Sequence, residues 1–310
     1  MILTIGPNPS LETTVAVPNF EPGRVFRLTE KIRFAGSKGF NFARALRTLG
    51  QTTLVISPLA GQIGRLVQQL AEAEGLTGEY IWIAGETRTI LNIVDPVTRR
   101  VTEFIENGPV VPAADWEKLV AAIKRRLPEA QWLVMCGSFL PGTPLDGPRT
   151  LLEAANAVGV PTLFDTYGPS LAQAISARPF VVKINQHEAG DLLGRAVKTP
   201  AEAMAATADI QARGAQAVII TLGPQGAVGI DPAGQTFAWA APQVASLCAT
   251  GSGDALLAGL VAGLVRGEPF RAAARLGIAA GTANTLQIGP AIFEAAQAAA
   301  LLDQVKELPI

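Results

Sequence analysis

The sequence predicts an α/β protein in three layers, α/β/α, with a mainly parallel central sheet and a small β-sheet lid. Two patterns support this. Short apolar or β-branched runs at 52–57, 132–136, 162–164, 180–184 and 217–221 alternate with Ala- and Leu-rich segments of helical spacing. Strands apolar on both faces and separated by helices form parallel sheets covered on either side. Two other stretches interrupt the alternation with mixed polar and apolar residues and turn signals, and these supply the lid.

Taken in order, the chain opens on a short strand ending at Ile5-Gly6-Pro7-Asn8-Pro9. From 13 to 34 it sets Val15, Val17, Val25, Phe26, Leu28, Ile32 and Phe34 among polar residues, with turns at Pro18-Asn19 and Glu21-Pro22-Gly23. A glycine loop, Ala35-Gly36-Ser37-Lys38-Gly39-Phe40-Asn41, then opens a helix that continues Ala43-Arg44-Ala45-Leu46 and ends at Gly50. The stretch 80–105 repeats the lid pattern, pairing 89–94 with 101–105 across Asp95-Pro96. Both insertions read as short antiparallel strands, joined into one sheet over an edge of the body as a lid, a dimer contact or both. Beyond Gln243 the pattern is helical, at 254–265, 269–282 and 291–305. No repeat or linker divides the chain, so a single domain over 1–310 is expected, with lid strands inserted at about 12–35 and 79–106.

Composition narrows the function. With 49% hydrophobic and 16% charged residues, the chain has enough apolar surface to close a core, which excludes a disordered class. Charge is nearly balanced, 25 Lys and Arg against 26 Asp and Glu, so no basic field calls for nucleic acid or an anionic membrane. Cys136 and Cys248 show no metal-binding spacing, and His187 is the single histidine. The N-terminus lacks a secretion-signal pattern, and the longest apolar stretch, 255–265, is about half a membrane span. A soluble cytoplasmic protein with small-molecule partners is expected.

The strongest local feature is Ala249-Thr250-Gly251-Ser252-Gly253-Asp254, followed at once by an apolar helix. Glycines expose consecutive N–H groups and a helix start adds partial positive charge, which suits a phosphate. The same residues also suit a tight turn with Asp254 as a cap. An acid beside an anion-binding loop has a further use, accepting the proton of an attacking hydroxyl. Neither a Walker A loop nor a GxGxxG after the first strand is present. The Gly36 loop offers Lys38 and Asn41 as donors, but taken alone it reads as an ordinary turn into a helix with a solvated lysine. Thr221-Leu222-Gly223-Pro224-Gln225-Gly226-Ala227 is open to a plain hairpin reading. Lys183-Ile184-Asn185-Gln186-His187-Glu188 puts polar side chains at a strand C-terminus, where open α/β sheets bind ligands.

These motifs follow one another in a fixed order with Asn8-Pro9-Ser10, Glu86-Thr87-Arg88 and Gly137-Ser138-Phe139-Leu140-Pro141. Over essentially its whole length the chain thereby resembles the ribokinase-like (PfkB) carbohydrate kinases. Within them it is similar to the sugar-phosphate branch of 1-phosphofructokinase, tagatose-6-phosphate kinase and the minor bacterial 6-phosphofructokinase. The resemblance implies a ribokinase-like fold and phosphoryl transfer from ATP to a hydroxyl of a ketohexose phosphate. It makes Asp254 the general base and the amides of Gly251, Ser252 and Gly253 the anion hole. It assigns Asn185 and Glu188 to Mg²⁺, largely through water, and leaves K⁺ open. Thr221, Gly223 and Gly226 would line the ATP site, with Lys183 near the phosphates. On the sugar side it implies Glu12, Gly36 and Asn41 for hydroxyls, and Arg88, Ser138, Lys38 and Arg24 for a substrate phosphate. A homodimer through the lid sheet also follows.

Three residues depart from the commoner family pattern: Glu12 stands for Asp, Ser37 for Gly and Ile184 for Pro. Two further readings accompany the first, a kinase of an unphosphorylated sugar or nucleoside and a non-catalytic sugar-phosphate sensor.

Overall fold

The structure is a computed structural model that describes residues 1–310. The chain runs β1 (Ile2–Ile5), β2 (Ser10–Ala16), β3 (Ile32–Gly36), α1 (Lys38–Thr48), β4 (Thr53–Ala60), α2 (Gly61–Ala73) and β5 (Thr77–Ile83). It continues β6 (Arg88–Asp95), β7 (Arg100–Ile105), α3 (Ala113–Arg126), β8 (Trp132–Cys136), α4 (Gly147–Ala157), β9 (Thr162–Asp165) and α5 (Gly168–Ala174). Next come β10 (Val181–Asn185), α6 (Gln186–Leu193), α7 (Pro200–Ala212), β11 (Ala217–Thr221), β12 (Ala227–Ile230) and β13 (Thr236–Ala240). It closes with α8 (Ser252–Val265), α9 (Phe270–Asn284), α10 (Ala295–Leu302) and β14 (Lys306–Glu307).

Ten strands form the main sheet in the order β14-β13-β12-β11-β10-β9-β8-β1-β4-β5. From β5 to β11 all neighbours are parallel, and β12 to β14 add an antiparallel edge. Side chains alternate faces along a strand, so each strand feeds two cores. Leu133, Met135, Val182 and Ile184 point into one, under α3 to α7. Val134, Cys136, Val181 and Ile219 point into the other, under α1, α8, α9 and α10. That double burial is what the apolar runs encode. Helix α8 is apolar all round and sheathed by α9, and glycines set their approach: a Cβ on Gly259 would lie 2.6 Å from Gly277 Cα.

The lid is a four-stranded sheet, β3-β2-β6-β7. Three expectations are corrected here. Residues 79–83 lie in β5, which pairs in parallel with β4 at the edge of the main sheet, so the second lid insertion begins at Arg88. The two insertions meet through β2 and β6, which pair in parallel, and only the flanking pairs are antiparallel. Val25, Phe26 and Leu28 lie in a loop, where Phe26, with Phe20, packs on Val15, Val17 and Ile93 as a small core of the lid's own. Asp95 anchors that loop by accepting the amides of Asn19 and Phe20 at 3.0 and 3.1 Å. The register leaves Ser10, Glu12, Thr14, Arg88, Asn92 and Glu103 on the opposite, polar face.

Candidate active site

Every parallel strand of the main sheet ends on the same side, and the polar motifs gather there. Asn8 follows β1, Ser138 follows β8, Asp165 ends β9, Asn185 ends β10 and Thr221 ends β11. This is where an open α/β sheet places its ligand, beyond the carboxyl ends of its strands. A cavity of about 480 Å³ opens there, lined by Lys38, Lys183, Asn185, Glu188, Thr221, Gly223, Gly226 and the loop Gly251–Asp254.

The loop before α8 is shaped for an anion. Gly251 turns at φ 79°, a left-handed conformation that costs an L side chain strain. The amides of Gly251 and Gly253 donate to no protein acceptor, whereas the Ser252 amide is spent on Ala249 O at 3.1 Å. At Gly253 a Cβ would lie 2.8 Å from Lys183 Nζ, so glycine is what lets the ammonium reach the loop. From α9, Asn284 holds this loop from behind, donating to Thr250 O and Ser252 Oγ at 2.9 Å each. From the lid, Glu103 accepts the Thr250 hydroxyl at 3.2 Å.

Asp254 sits in the first turn of α8, buried, and its Oδ2 accepts Asn41 Nδ2 at 3.0 Å. Burial pushes its carboxyl up to about 7, with Asp165 adding to the rise and Lys38 and Lys183 opposing it. An acid that titrates near neutrality is poised to take a proton. Beneath it, the fully buried Asp165 binds two ammonium groups, Lys38 Nζ at 2.5 Å and Lys183 Nζ at 2.6 Å. Burial favours its neutral form, but Lys183 and Lys38 hold its carboxyl below the usual carboxylate range. Burial likewise works against the Lys38 ammonium, yet Asp165, Glu188 and Asp254 keep it well above its ordinary value. Cys136, at the end of β8, is pushed far up by burial and by both aspartates, which makes it an inert thiol.

Asn185 and Glu188 form a capping box on α6. Asn185 Oδ1 accepts the amides of His187 and Glu188 at 2.9 Å, and Glu188 Oε2 accepts the Asn185 amide at 2.8 Å. Glu188 Oε1 is left to face Lys38 Nζ at 3.9 Å. In the glycine turn between β11 and β12, Gly223 and Gly226 take φ 59° and 109°, so the hairpin geometry and the cavity lining coexist.

Across from that cavity lies the polar face of the lid. Glu12 is buried, its Oε1 accepting Asn92 Nδ2 at 2.6 Å, and burial raises its carboxyl against the pull of Asn92 and Arg44. Gly36 packs so tightly on it that a Cβ would meet Glu12 Cβ at 2.5 Å. Arg88 Nη2 donates to Asn8 O at 3.0 Å, and Asn8 Nδ2 donates to Ser138 Oγ at 3.0 Å, which ties the three into one unit. Asn8 Oδ1, Ser10 Oγ, Arg88 Nε and Asn92 Oδ1 are buried polar atoms without a protein partner.

Two expected members stand apart. Lys38 is drawn to Asp165 and the cavity rather than to Arg88. Arg24 is exposed on the lid loop and pairs with Glu21 at 3.4 Å. Asp165, Asn92 and Asn284 are site residues that sequence reasoning missed. For Asp165 a signal existed, a polar residue at the end of the apolar run 162–164, the same cue that marked Asn185.

Comparison with known proteins agrees with this architecture. The description pfkB family carbohydrate kinase matches residues 17–296. The 1-phosphofructokinase of Rhodobacter capsulatus is 32% identical over 312 residues, covering 99% of this chain and 98% of that protein. The ATP-dependent 6-phosphofructokinase isozyme 2 of Mycobacterium tuberculosis is 30% identical over 297 residues, covering 94% and 85% respectively. The crystal structure of phosphofructokinase-2 from Escherichia coli in complex with potassium superposes with a TM-score of 0.89 at 27% identity, covering 98% of each chain. With the fold, the family match and full-length relatives in agreement, the chain belongs to the pfkB family of carbohydrate kinases.

Proposed function

We propose that this carbohydrate kinase transfers the γ-phosphoryl group of ATP to a hydroxyl of a ketohexose phosphate: fructose 1-phosphate, fructose 6-phosphate or tagatose 6-phosphate. The observation that carries the phosphosugar reading is the Arg88–Asn8–Ser138 unit, with Arg88 Nε buried and unpartnered at the lid's polar face. A guanidinium fork is matched to phosphate oxygens. The names of the relatives, 1-phosphofructokinase and 6-phosphofructokinase, support the same class.

In this reading Asp254 accepts the proton of the sugar hydroxyl as that oxygen attacks the γ-phosphorus and ADP leaves. The amides of Gly251 and Gly253, the two without protein acceptors, stabilise charge on the transferring group, each donor being worth roughly 10²–10³-fold in rate. Lys183 and Lys38, held by Asp165, supply positive charge beside that loop. Thr221, Gly223 and Gly226 line the cavity on the nucleotide side, and in this reading Glu12, Gly36 and Asn41 orient the sugar. Mg²⁺ fits the donor set: Asn185 Oδ1 is committed to capping, and Glu188 Oε1 is an oxygen free to hold a water of a hard cation. When bound with ATP, the ion would offset charge on the phosphates. K⁺ is an expectation checked by a KCl titration of the rate.

The chain is read as a cytoplasmic homodimer joined through the lid, where Val25, Leu28, Phe104 and Ile105 are exposed. No helix is long and apolar enough to cross a membrane. Light scattering at micromolar concentration checks the dimer, and a monomer refutes it. The activity is tested by ATP consumption with Mg²⁺ across the three phosphosugars, fructose, ribose and adenosine, with Asp254→Asn as blank. Preference for one phosphosugar is expected; turnover of unphosphorylated compounds alone would overturn the phosphosugar reading.

A further inference from the structure

We propose that Arg44 is a positioning residue that fixes the orientation of the Asn41 amide and thereby the hydrogen bond which that amide donates to Asp254. The proposal rests on the reading of Asp254 as the general base. Arg44 lies in α1 with only 11% of its side chain exposed, and every face of its guanidinium is occupied. Nε and Nη2 grip Glu74 at 2.6 and 3.0 Å, and Nη2 also donates to Ala35 O in β3 at 2.7 Å. Nη1 donates to Asn41 Oδ1 at 3.0 Å and to Pro290 O at 3.1 Å. The Phe34 ring stacks on the group at 5.0 Å.

A guanidinium can only donate, so the Asn41 atom turned to Arg44 is the oxygen. The other end of the amide, the NH₂, is therefore the end that meets Asp254 Oδ2 at 3.0 Å. Donation to a carboxylate favours its charged form. Without Arg44 the amide is free to turn its oxygen to Asp254 and accept a proton from the neutral acid, which favours the uncharged form. Groups facing Asp254 from the surrounding elements are Lys38 on α1, Asp165 on β9, Lys183 on β10 and Cys136 on β8, and Glu188 on α6 faces Lys38. Arg44 makes no bond to Asp254 itself, and Asn41 is the group that links the two. The same guanidinium joins lid strand β3 to the 290 loop, beside Ala291 whose amide backs on to Gly251. Lid and base thus share one anchor.

The test is the pH dependence of kcat/KM for the phosphosugar at saturating MgATP, compared between variants on one substrate so that its own ionisation cancels. Arg44→Met should move the acid limb up by about one pH unit, recover most activity at high pH, and leave the MgATP KM within about twofold. Asn41→Ala should move the limb in the same direction, and adding Arg44→Met to it should move it no further. Glu74→Gln, which leaves the Arg44–Asn41 bond in place, should lower the melting temperature without moving the limb. A loss by the same factor at every pH, additive shifts in the double variant, or an equal shift in Glu74→Gln would each overturn the proposal. Should Arg44→Met fail to fold, an unshifted limb in Asn41→Ala overturns it alone. Asp254→Asn is run beside them: no turnover at any pH upholds the base, and retained turnover removes the base reading and this proposal together.

Discussion

The two ends of the active site are finished to different degrees. At the phosphoryl end, buried groups satisfy one another: Asp165 pairs with both lysines, Asn41 with Asp254, and Asn284 with the loop before α8. At the sugar end, Asn8 Oδ1, Ser10 Oγ, Arg88 Nε and Asn92 Oδ1 are buried without protein partners. A buried polar atom left unpaired costs roughly 1–3 kcal/mol, so the lid face carries a standing cost that a ligand rich in hydroxyl and phosphate oxygens would relieve. The phosphoryl end is preorganised, as electrostatic catalysis requires. In the proposed function, specificity is held in groups that substrate must complete, rather than in those that perform transfer.

The comparison can be broken most forcefully at the phosphoryl end. Asp254→Asn should lower kcat by about 10³-fold or more with little change in either KM. It should also stabilise the fold above neutrality. Burial raises this carboxyl from an ordinary value near 3.8 to about 7, so the native state holds a proton that the unfolded chain has lost. Wild-type stability therefore falls as pH rises from about 4 to about 7, and the variant, which carries no charge there, should be more stable at pH 8 by about 2–4 kcal/mol in urea titrations.

Asp165→Asn comes next, since it leaves two ammonium groups facing each other without a counter-charge. A loss of about 3–5 kcal/mol in unfolding free energy is expected, with a fall in kcat as Lys38 and Lys183 move. The sign with pH is opposite to that of Asp254. Asp165 is held below its ordinary value, so its contribution is present above about pH 4 and is lost as pH falls through its lowered native value. Equal stability of wild type and variant at pH 7 would contradict the preorganised network.

The smallest effect belongs to Ser37, at the junction between lid and α1. Its φ of 82° and ψ of 164° lie in a region that is essentially glycine's. Ser37→Gly removes strain but loosens the unfolded chain, and a net gain of about 1 kcal/mol is expected by denaturant melts. A destabilised variant would mean that the Ser37 side chain contributes more than its backbone costs.

Legibility follows how local each feature is. Parallel strands were readable because both faces of β8 to β11 are apolar, and the loop before α8 because its glycines answer a left-handed turn and a close ammonium. Edge strand β5 was mistaken for lid because Tyr80 and Trp82 are only partly covered and its pattern mimics a half-exposed hairpin. The parallel pairing of β2 with β6 joins Ser10 to Arg88, across a separation that no local pattern encodes. Asp165 stood outside any motif; its role appears only when β9 and β10 lie side by side and bring Lys183 to it. Arg24 shows the converse: the family resemblance implied it for the substrate phosphate, and the fold leaves it on an exposed loop beside Glu21.

In the proposed function a phosphate on the substrate completes the sugar end. This is tested most directly by kcat/KM of wild type and Arg88→Ala for the best phosphosugar and for free fructose. A loss of about 10–100-fold is expected for the phosphosugar, and a change within about twofold for fructose. An equal loss on both substrates would contradict it, because Arg88 would then be holding the lid and not the phosphate.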